Sequence, residues 1–484
     1  MTGLLIAGTS SDAGKSLVVT GLCRALVRRG IDVAPFKAQN MSNNSMVCAD
    51  GAEIGRAQYL QARAAKLEPT SAMNPVLLKP GTDRRAFVVL RGHPGGTLEA
   101  GEYATGRRHL AESAYAAYDE LAAAHELVVV EGAGSPAEIN LRGGDYVNLG
   151  LAERYGLPAV VVGDIDRGGV LAALFGTWAI LEGADRDLLA GYVINKFRGD
   201  QTILDPGLAE LTRRTGLPCF GVLPWLEGVW LDGEDALRVD RWAPAADASL
   251  TVAVVRLPRI SNSTDVDALA HETGVRVLVT TDPEVCEVAD LVVLPGSRST
   301  VEDLQWLRSR GLDDVLARRH AAGRPVLGVC GGFQMLAEFI HDDIESDAGT
   351  VSGLGLLPVE VTFDADKTTA LSTHAWGDLQ VPGYEIHHGR HRVTGEAVSF
   401  LDGCSVGTSA GTMLHGCLED DAFRRAYLSE VAAATGSPWR PRPAAVGYGE
   451  ARERMIDTLA DAVETHLDVD ALLALTGQGR AAGQ

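Results

Sequence analysis

GLLIAGTSSDAGKS, residues 3–16, decides the fold of the first half of the chain. Leu4 to Ala7 read as a short buried strand, a Gly-rich turn runs from Gly8 to Gly14, and Ser16 to Arg29 carry apolar residues at helical spacing. Strand, glycine turn and helix together are the setting in which a phosphate loop makes physical sense. Glycines let the backbone curl until its N–H groups and the helix N-terminus face phosphate oxygens; a lysine adds a point charge and a hydroxyl serves a divalent cation. The bland alternative is a chance Gly-Lys-Ser after an ordinary turn, and five residues between Gly8 and Gly14 is one more than the common spacing. The flanking strand and helix carry the functional reading. Gly8, Ser10, Asp12, Gly14, Lys15 and Ser16 are the expected nucleotide-binding residues, with Lys15 on the β- and γ-phosphates and Ser16 as a Mg²⁺ ligand.

Outward from this loop, IDVAPFK (31–37), LVVVEG (127–132), PAVVVGD (158–164) and LAGYVINKF (189–197) are further apolar, β-branched runs. Amphipathic stretches of helix length separate them, the pattern of a parallel sheet covered on both faces. Asn40 to Arg91, rich in Asn, Gln, Met and Lys, breaks that rhythm and reads as an insertion over one edge. A Mg²⁺-bound triphosphate also needs carboxylates at strand ends. Glu131 is placed for that role, with Asp50 a weaker second candidate, and Asn195 falls where a base-recognising amide would stand.

The second half starts a new series: TVAVVRL (251–257), VRVLVT (275–280), ADLVVLPGS (289–297) and PVLGVCGGFQML (325–336). In the last of these an apolar strand runs into Cys330, two glycines and a helical run. A residue at such an elbow projects into a cleft, and the backbone N–H groups after it can hold an oxyanion. A lone cysteine on an apolar strand is by default a buried structural residue; the Gly-Gly that follows Cys330 favours the nucleophile. His415, in GTMLHGC (411–417), is the candidate base, and Gly296 in LPGSRST (294–300) joins Gly331 as a candidate oxyanion donor.

The fold class expected is α/β with two doubly wound domains: a P-loop parallel sheet over 1–235 and a flavodoxin-like sheet over 250–435. A Pro- and Ala-interrupted linker at 236–249 separates them, and a helical extension with a frayed tail occupies 436–484. The 484 residues suffice for several buried cores, and 46% hydrophobic against 22% charged residues excludes wholesale disorder. A net charge of −21 argues against nucleic acid or an anionic membrane as partner. Seven scattered cysteines without C-x-x-C spacing argue against a disulfide framework or structural zinc. No basic leader precedes Leu4, and the longest apolar run, Leu171 to Leu181, is about half a membrane span. A soluble, cytoplasmic protein is expected.

The two constellations in this order resemble the cobyric acid synthases of cobalamin biosynthesis, in which a dethiobiotin-synthetase-like ATP domain precedes a class I, triad-type glutamine amidotransferase domain. The resemblance rests on GTSSDAGKS, FKAQNMSNNSMV, MNPVLLKP, EGAGSPAEINL, GDIDRGGV, INKFRGD, RLPRISNSTDVD, LPGSRST, GVCGGFQML, GYEIH and HGCLEDDAFRR, spread over nearly the whole chain. It implies ATP with Mg²⁺, glutamine and a corrinoid as ligands, the cobalt belonging to the corrinoid, with no transition metal bound by the protein. Four carboxylates (b, d, e, g) of adenosylated cobyrinic acid a,c-diamide would be activated by phosphorylation and amidated with ammonia released at Cys330. Asn40, Asn43, Asn44 and Asp145, with Asp166 and Arg167, are implied on the substrate side, and His387 near the glutamine pocket. Amidotransferases with a full triad carry a Glu two residues after the His. Here Cys417 holds that place, so the third member is expected to be missing and the glutaminase slow.

Two other classes share parts of this pattern. A nucleotide-gated scaffold with a dead amidotransferase fold would have lost Cys330 or Lys15, and both are present. A cobyrinic acid a,c-diamide synthase would carry a motif like KGPDYID where this chain has KAQNMSNNS; another P-loop carboxylate amidase, such as one acting on a cell-wall precursor, would lack the cobyric-type segments.

Overall fold

The computed structural model describes residues 3–81, 85–99, 107–229, 248–442 and 445–477. A six-stranded sheet runs in the order Val33–Phe36, Leu127–Glu131, Gly3–Gly8, Ala159–Asp164, Leu189–Phe197, Cys219–Pro224, parallel throughout. Its strands are apolar on both faces because both are covered. Leu5, Ala7, Val128 and Val130 face one core; Leu4, Ile6, Val129 and Val162 face the other. The neighbours of Gly3–Gly8 lead away on opposite sides, so the loop after it opens at the switch point where open α/β sheets bind ligands.

The helix Lys15–Arg28 covers the second of these cores, and a distant segment completes the cover. Helix Tyr448–His466, from the expected C-terminal extension, lies against it and buries Met455, Ile456 and Val463 in that core. Gly21 permits the approach: a β-carbon there would stand 2.7 Å from Val463 Cγ2 and 2.8 Å from the Leu459 carbonyl. Mid-helix glycine costs about 1 kcal/mol against alanine. Each fully buried Ile or Met contributes about 1.5–3 kcal/mol, so close packing wins. Charge reinforces the seam, with Arg24 on Glu453 and Asp457 (2.8 and 2.7 Å) and Arg28 on Asp461 (2.6 Å). The extension is therefore part of the P-loop layer. A second helix, Val469–Leu475, follows it; the tail beyond 477, and 236–247 of the expected linker, lie outside the described residues.

The second sheet runs Val275–Thr280, Leu250–Val255, Leu291–Leu294, Val326–Val329, Ser409–Thr412, Gly403–Val406, Val398–Phe400, with its first five strands parallel. The stretch 289–297, expected as one strand, divides at Pro295, which has no N–H to continue a ladder. Gly296–Ser297 then turns off to pair with Ile260–Ser261. A long hairpin, Val359–Trp376 with Leu379–Val393, leaves this domain toward the first.

The Asn-rich insertion has structure of its own. Gln39–Met41, Val76–Pro80, Arg85–Leu90 and His93–Glu99 form a four-stranded sheet, and Ser45–Val47 pairs with Glu53–Gly55 in a small hairpin. Val47 packs on Tyr384 and Ile386 of the second domain. No helix among the described residues is long and apolar enough to cross a membrane.

Candidate functional site

At the phosphate loop, Gly14 adopts φ +97°, open to glycine. A β-carbon there would also stand 2.0 Å from Asn195 Nδ2, which donates to the Ala13 carbonyl at 3.0 Å. Asn195 thus flanks the loop. Lys15 Nζ donates to the carbonyls of Ser10, Ser11 and Gly134 (3.0, 3.0 and 3.2 Å), bridging the loop to the segment after Glu131. Ser16 Oγ donates to Glu131 Oε1 at 2.8 Å. Glu131 is fully buried. Burial alone would raise its pKa, but the Lys37 ammonium at 2.9 Å, the amide of Gln61 and the nearby Lys15 hold it below the usual carboxylate range. Ser16 Oγ and Glu131 form an all-oxygen pair of the kind Mg²⁺ uses alongside phosphates and waters.

A cleft of about 330 Å³ opens beside the loop, lined by Lys15, Lys37, Asn40, Arg107, Arg142, Glu138 and Asp145 among others. Cations outnumber carboxylates here, which answers the global charge of −21 locally. Asp145 accepts from the N–H groups of Val147, Asn148 and Gly150 at 2.8–2.9 Å, so its carboxylate orders the wall of the cleft. A second cleft, about 630 Å³, shares Arg107 and Asp145 with the first and adds Arg108, Tyr115, Tyr146 and Arg154. Guanidinium planes lie over both rings, Arg107 on Tyr146 at 4.7 Å and Arg154 on Tyr115 at 4.3 Å.

Several expected substrate-side residues stand elsewhere. Arg167 pairs with Asp12 at 2.8 Å and Asp166 with Arg198 at 3.6 Å, on the Asn195 flank of the loop and outside the cleft. Asn44 Oδ1 accepts from the Ser263 N–H at 3.0 Å, and the Asn43 carbonyl accepts from Asn262 N–H at 3.3 Å. These two asparagines bind the amidotransferase half; Asn40 alone of the three lines the cleft. Asp50 sits in the hairpin turn, capping the Ala52 N–H at 3.0 Å beside Thr369, away from Ser16 and Glu131. A turn acid capping its own loop is the ordinary outcome for Asp in that position.

In the second domain, Cys330 stands at the strand-to-helix elbow with φ +48° and ψ −109°. This strained conformation costs on the order of 1–3 kcal/mol and aims the side chain out of the sheet. The glycines make the elbow possible: a β-carbon on Gly332 would stand 2.0 Å from the Leu294 carbonyl, and one on Gly331 2.6 Å from the Ser297 nitrogen. Gly296 lies against the His415 ring, its absent β-carbon 3.1 Å from Cε1. Cys330 lines a tight cavity of about 40 Å³ with Ser297, Gln334 and His387, room for about one water. His387 Nε2 contacts Glu385 at 3.1 Å, while its buried Nδ1 has no protein partner.

The third triad member is present, contrary to expectation. Asp265 Oδ2 lies 2.7 Å from His415 Nδ1, and its other oxygen accepts from the Gly416 N–H at 2.9 Å. Burial would lower the pKa of His415, but the Asp265 carboxylate and the Cys330 side chain push it up to about 10. Asp265 sits in the short 3₁₀ segment Ser263–Val266, and no local spacing links it to a histidine 150 residues later. Lys37 is the other residue the motifs passed over; its place at the C-terminal end of a strand, like that of Glu131, was the available signal.

Comparison with known proteins matches the same two halves. Residues 4–238 match the family described as the CobQ/CobB/MinD/ParA nucleotide binding domain, and residues 251–423 the CobB/CobQ-like glutamine amidotransferase domain. The cobyric acid synthase of Cutibacterium acnes is 67% identical over 482 residues, covering 98% of this chain and 100% of that protein. Those of Mycolicibacterium gilvum and Mycobacterium tuberculosis are 56% and 54% identical, covering 100% and 99% of this chain and 98% and 97% of theirs.

Proposed function

Because the chain belongs to the cobyric acid synthase family, we propose that it converts adenosylated cobyrinic acid a,c-diamide to cobyric acid, amidating four peripheral carboxylates at the expense of ATP and glutamine. The observation that carries this is the pairing, in one chain, of a Cys330–His415–Asp265 triad with a Lys15–Ser16–Glu131 phosphate site.

The Cys330 sulfur attacks the glutamine side-chain carbonyl, and backbone N–H groups at Gly296 and Gly331 hold the oxyanion. As the tetrahedral centre collapses, the C–N bond breaks, the His415 imidazolium gives its proton to the leaving nitrogen, and ammonia departs. Water, deprotonated by His415, then releases glutamate from the thioester. Asp265 keeps the ring oriented and stabilises its charged form.

A carboxylate cannot be displaced by ammonia directly, because oxide is too poor a leaving group. The carboxylate oxygen attacks the γ-phosphorus, the bond to ADP breaks, and ammonia displaces phosphate from the acyl phosphate. Lys15 and the loop N–H groups stabilise the charge that develops on the phosphoryl oxygens. Ser16 and Glu131 would hold a Mg²⁺ ion, whose charge would neutralise the triphosphate oxygens when bound. The corrin is assigned to the 630 Å³ cleft: the exposed Arg108 and Arg154 offer planar forks to peripheral carboxylates, and the half-buried Tyr115 offers part of an apolar ring. The free thiols of all seven cysteines and the ATP requirement suit the cytoplasm.

The test is mass spectrometry of the product from cobyrinic acid a,c-diamide, ATP and glutamine. Replacing four OH groups by NH₂ lowers the mass by about one dalton each, in successive steps; an unchanged mass overturns the assignment.

A further inference from the structure

The strand Leu379–Val393 runs past both reacting residues of the amidotransferase half and is fixed to each. Tyr384 exchanges backbone hydrogen bonds with His415, N–H to carbonyl in each direction at 3.0 and 2.8 Å, and its ring stacks on the imidazole at 5.3 Å. Two residues on, the Ile386 carbonyl lies 3.8 Å from Cys330 Sγ and accepts from the thiol. The next residue, His387, is thereby delivered to the Cys330 cavity at a fixed register.

Side chains alternate along a strand, so Glu385 and His387 share the face opposite Tyr384 and Ile386. Glu385 lies 3.1 Å from His387 Nε2 and 3.3 Å from His374 Nε2. The hydrogen bond from His387, with those from Ser372 and His374, holds its carboxyl down to about 2 against its burial. A carboxylate only accepts, so Nε2 carries the ring proton, and the neutral ring has a bare lone pair at Nδ1. The His387 side chain is 8% exposed, and Nδ1 has no protein partner. Other polar side chains of the cavity wall are already engaged. Ser297 Oγ donates to Asp303 at 2.6 Å, Gln334 Oε1 accepts from Thr300 at 2.9 Å, and His388 Nδ1 lies 3.0 Å from the Asp364 carbonyl. Among the described residues lining the cavity, His387 Nδ1 is the one buried side-chain polar atom left unpaired. Such an atom costs on the order of 1–3 kcal/mol unless something fills the place.

The Glu385–His387 couple mirrors Asp265–His415. Asp265 takes Nδ1 of its histidine and leaves the other nitrogen to Cys330; Glu385 takes Nε2 and leaves Nδ1 to the cavity. Thioester hydrolysis needs a water with both hydrogens accounted for. One passes to His415 as the oxygen bonds to the thioester carbon; the other stays on the oxygen and needs an acceptor to fix its direction. We propose that His387 Nδ1 is that acceptor, a positioning residue that holds the hydrolytic water against the γ-glutamyl thioester of Cys330. The cavity of about 40 Å³ suits one such molecule. As the tetrahedral centre collapses, the C–S bond breaks and the sulfur recovers the proton from His415. Glutamate leaves with the second hydrogen on its new carboxyl, which then loses it to solvent.

The proposal rests on the glutaminase reading of Cys330, and the experiment separates the two. Full-length enzyme is given glutamine with and without hydroxylamine, and γ-glutamyl hydroxamate is measured against glutamate. No glutamate from the unaltered enzyme overturns the glutaminase reading itself; the variants bear only on His387. His387→Leu removes the acceptor, so deacylation slows and acylation does not. Its kcat and KM for glutamate release should fall together by about tenfold or more, with kcat/KM within about threefold of the unaltered enzyme. Acid-quenched enzyme should carry more glutamyl thioester, and the partition should move about tenfold toward hydroxamate, since hydroxylamine is the stronger nucleophile and does not depend on Nδ1. His387→Asn, whose side-chain oxygen can stand where Nδ1 stood, should recover both kcat and partition; an Asn variant as slow as the Leu variant overturns the proposal. A raised KM at unchanged kcat assigns Nδ1 to glutamine itself and overturns it too, as does a fall in kcat without thioester build-up or with unchanged partition. Should His387→Leu also lose ammonia-driven amidation, Glu385→Gln decides, because its amide can donate to Nε2 and flip the tautomer: the partition moves toward hydroxamate, and an unchanged partition overturns the role of His387.

Discussion

Asp265→Asn keeps the shape of the third triad member and removes its charge. In the native site His415 is pushed from 6.5 up to about 10, against a burial effect that alone would lower it. That is more than three pK units, or on the order of 4–5 kcal/mol of preference for imidazolium at about 1.4 kcal/mol per unit. The Asp265 carboxylate contributes most to that rise, with the Cys330 side chain sharing the effect. Asparagine would present an amide to Nδ1, and its NH₂ rotamer selects the wrong tautomer. We expect glutamine hydrolysis to fall by roughly 10²–10⁴, the scale on which an acid-to-amide change disables a comparable triad. The alkaline limb of the pH–rate profile should move down, because the imidazolium now loses its proton at lower pH. Glutamate release measured from pH 6 to 10.5 reads both effects, and ammonia-driven corrinoid amidation in the same preparation reports an intact phosphate site. Glutaminase within about threefold of the unaltered enzyme, or equal loss of the ammonia-driven reaction, would refute the role of Asp265.

Three further outcomes are expected. Cys330→Ser abolishes glutamine-dependent amidation and spares synthesis with added ammonia; equal loss with both nitrogen sources removes Cys330 from the nucleophile's place. Lys15→Ala lowers product formation with either nitrogen source by about a hundredfold or more, while glutamate release without corrinoid persists; undiminished ATP-dependent amidation excludes Lys15 from phosphate binding. Glu419, clamped by Arg56 and Arg452 where the halves meet, is held down to about 2 by those guanidiniums against its burial. Its stabilisation is therefore present above pH 4.5 and fades as pH falls toward 2, up to about 3 kcal/mol. Urea unfolding at pH 7 and pH 3.5 should show this loss in the native chain and less of it in Glu419→Gln; equal acid sensitivity in both would count against the clamp.

What was legible in the sequence was local. The phosphate loop, Glu131 at its strand end and the Cys330 elbow each announce themselves within about ten residues, because backbone geometry forces glycines and strand ends into fixed spacings. Asp265 lies within RLPRISNSTDVD, one of the segments that carry the resemblance, yet nothing local ties it to His415, since that partner stands 150 residues away and the familiar spacing after His415 is filled by Cys417. Asn43 and Asn44 are expected on the substrate side, but composition does not say which wall an amide faces: the Asn44 amide faces Ser263 of the other half, and the Asn43 amide donates to the Pro80 carbonyl of its own. Asp50 failed for the opposite reason: its chemistry suits a metal, while its turn position makes it a cap. The amphipathic C-terminal helix was visible as a helix, and only the tertiary structure reveals that its apolar stripe belongs to Val18 and Leu22 at the other end of the chain.

That last pairing sets an order of assembly. The half that binds ATP is begun before the amidotransferase half and completed after it, because one face of its core waits for Met455, Ile456 and Val463. Every strand of the amidotransferase sheet has been synthesised by then, so the glutaminase can fold while its future partner is still open on one side. A premature stop shortly after residue 445 would spare all the strands of both sheets and strip the lid from the ATP half alone. Truncations after residue 445 should therefore yield chains that capture glutamine yet fail to hold nucleotide, and quality control of the segment after 445 is quality control of the phosphate-loop half.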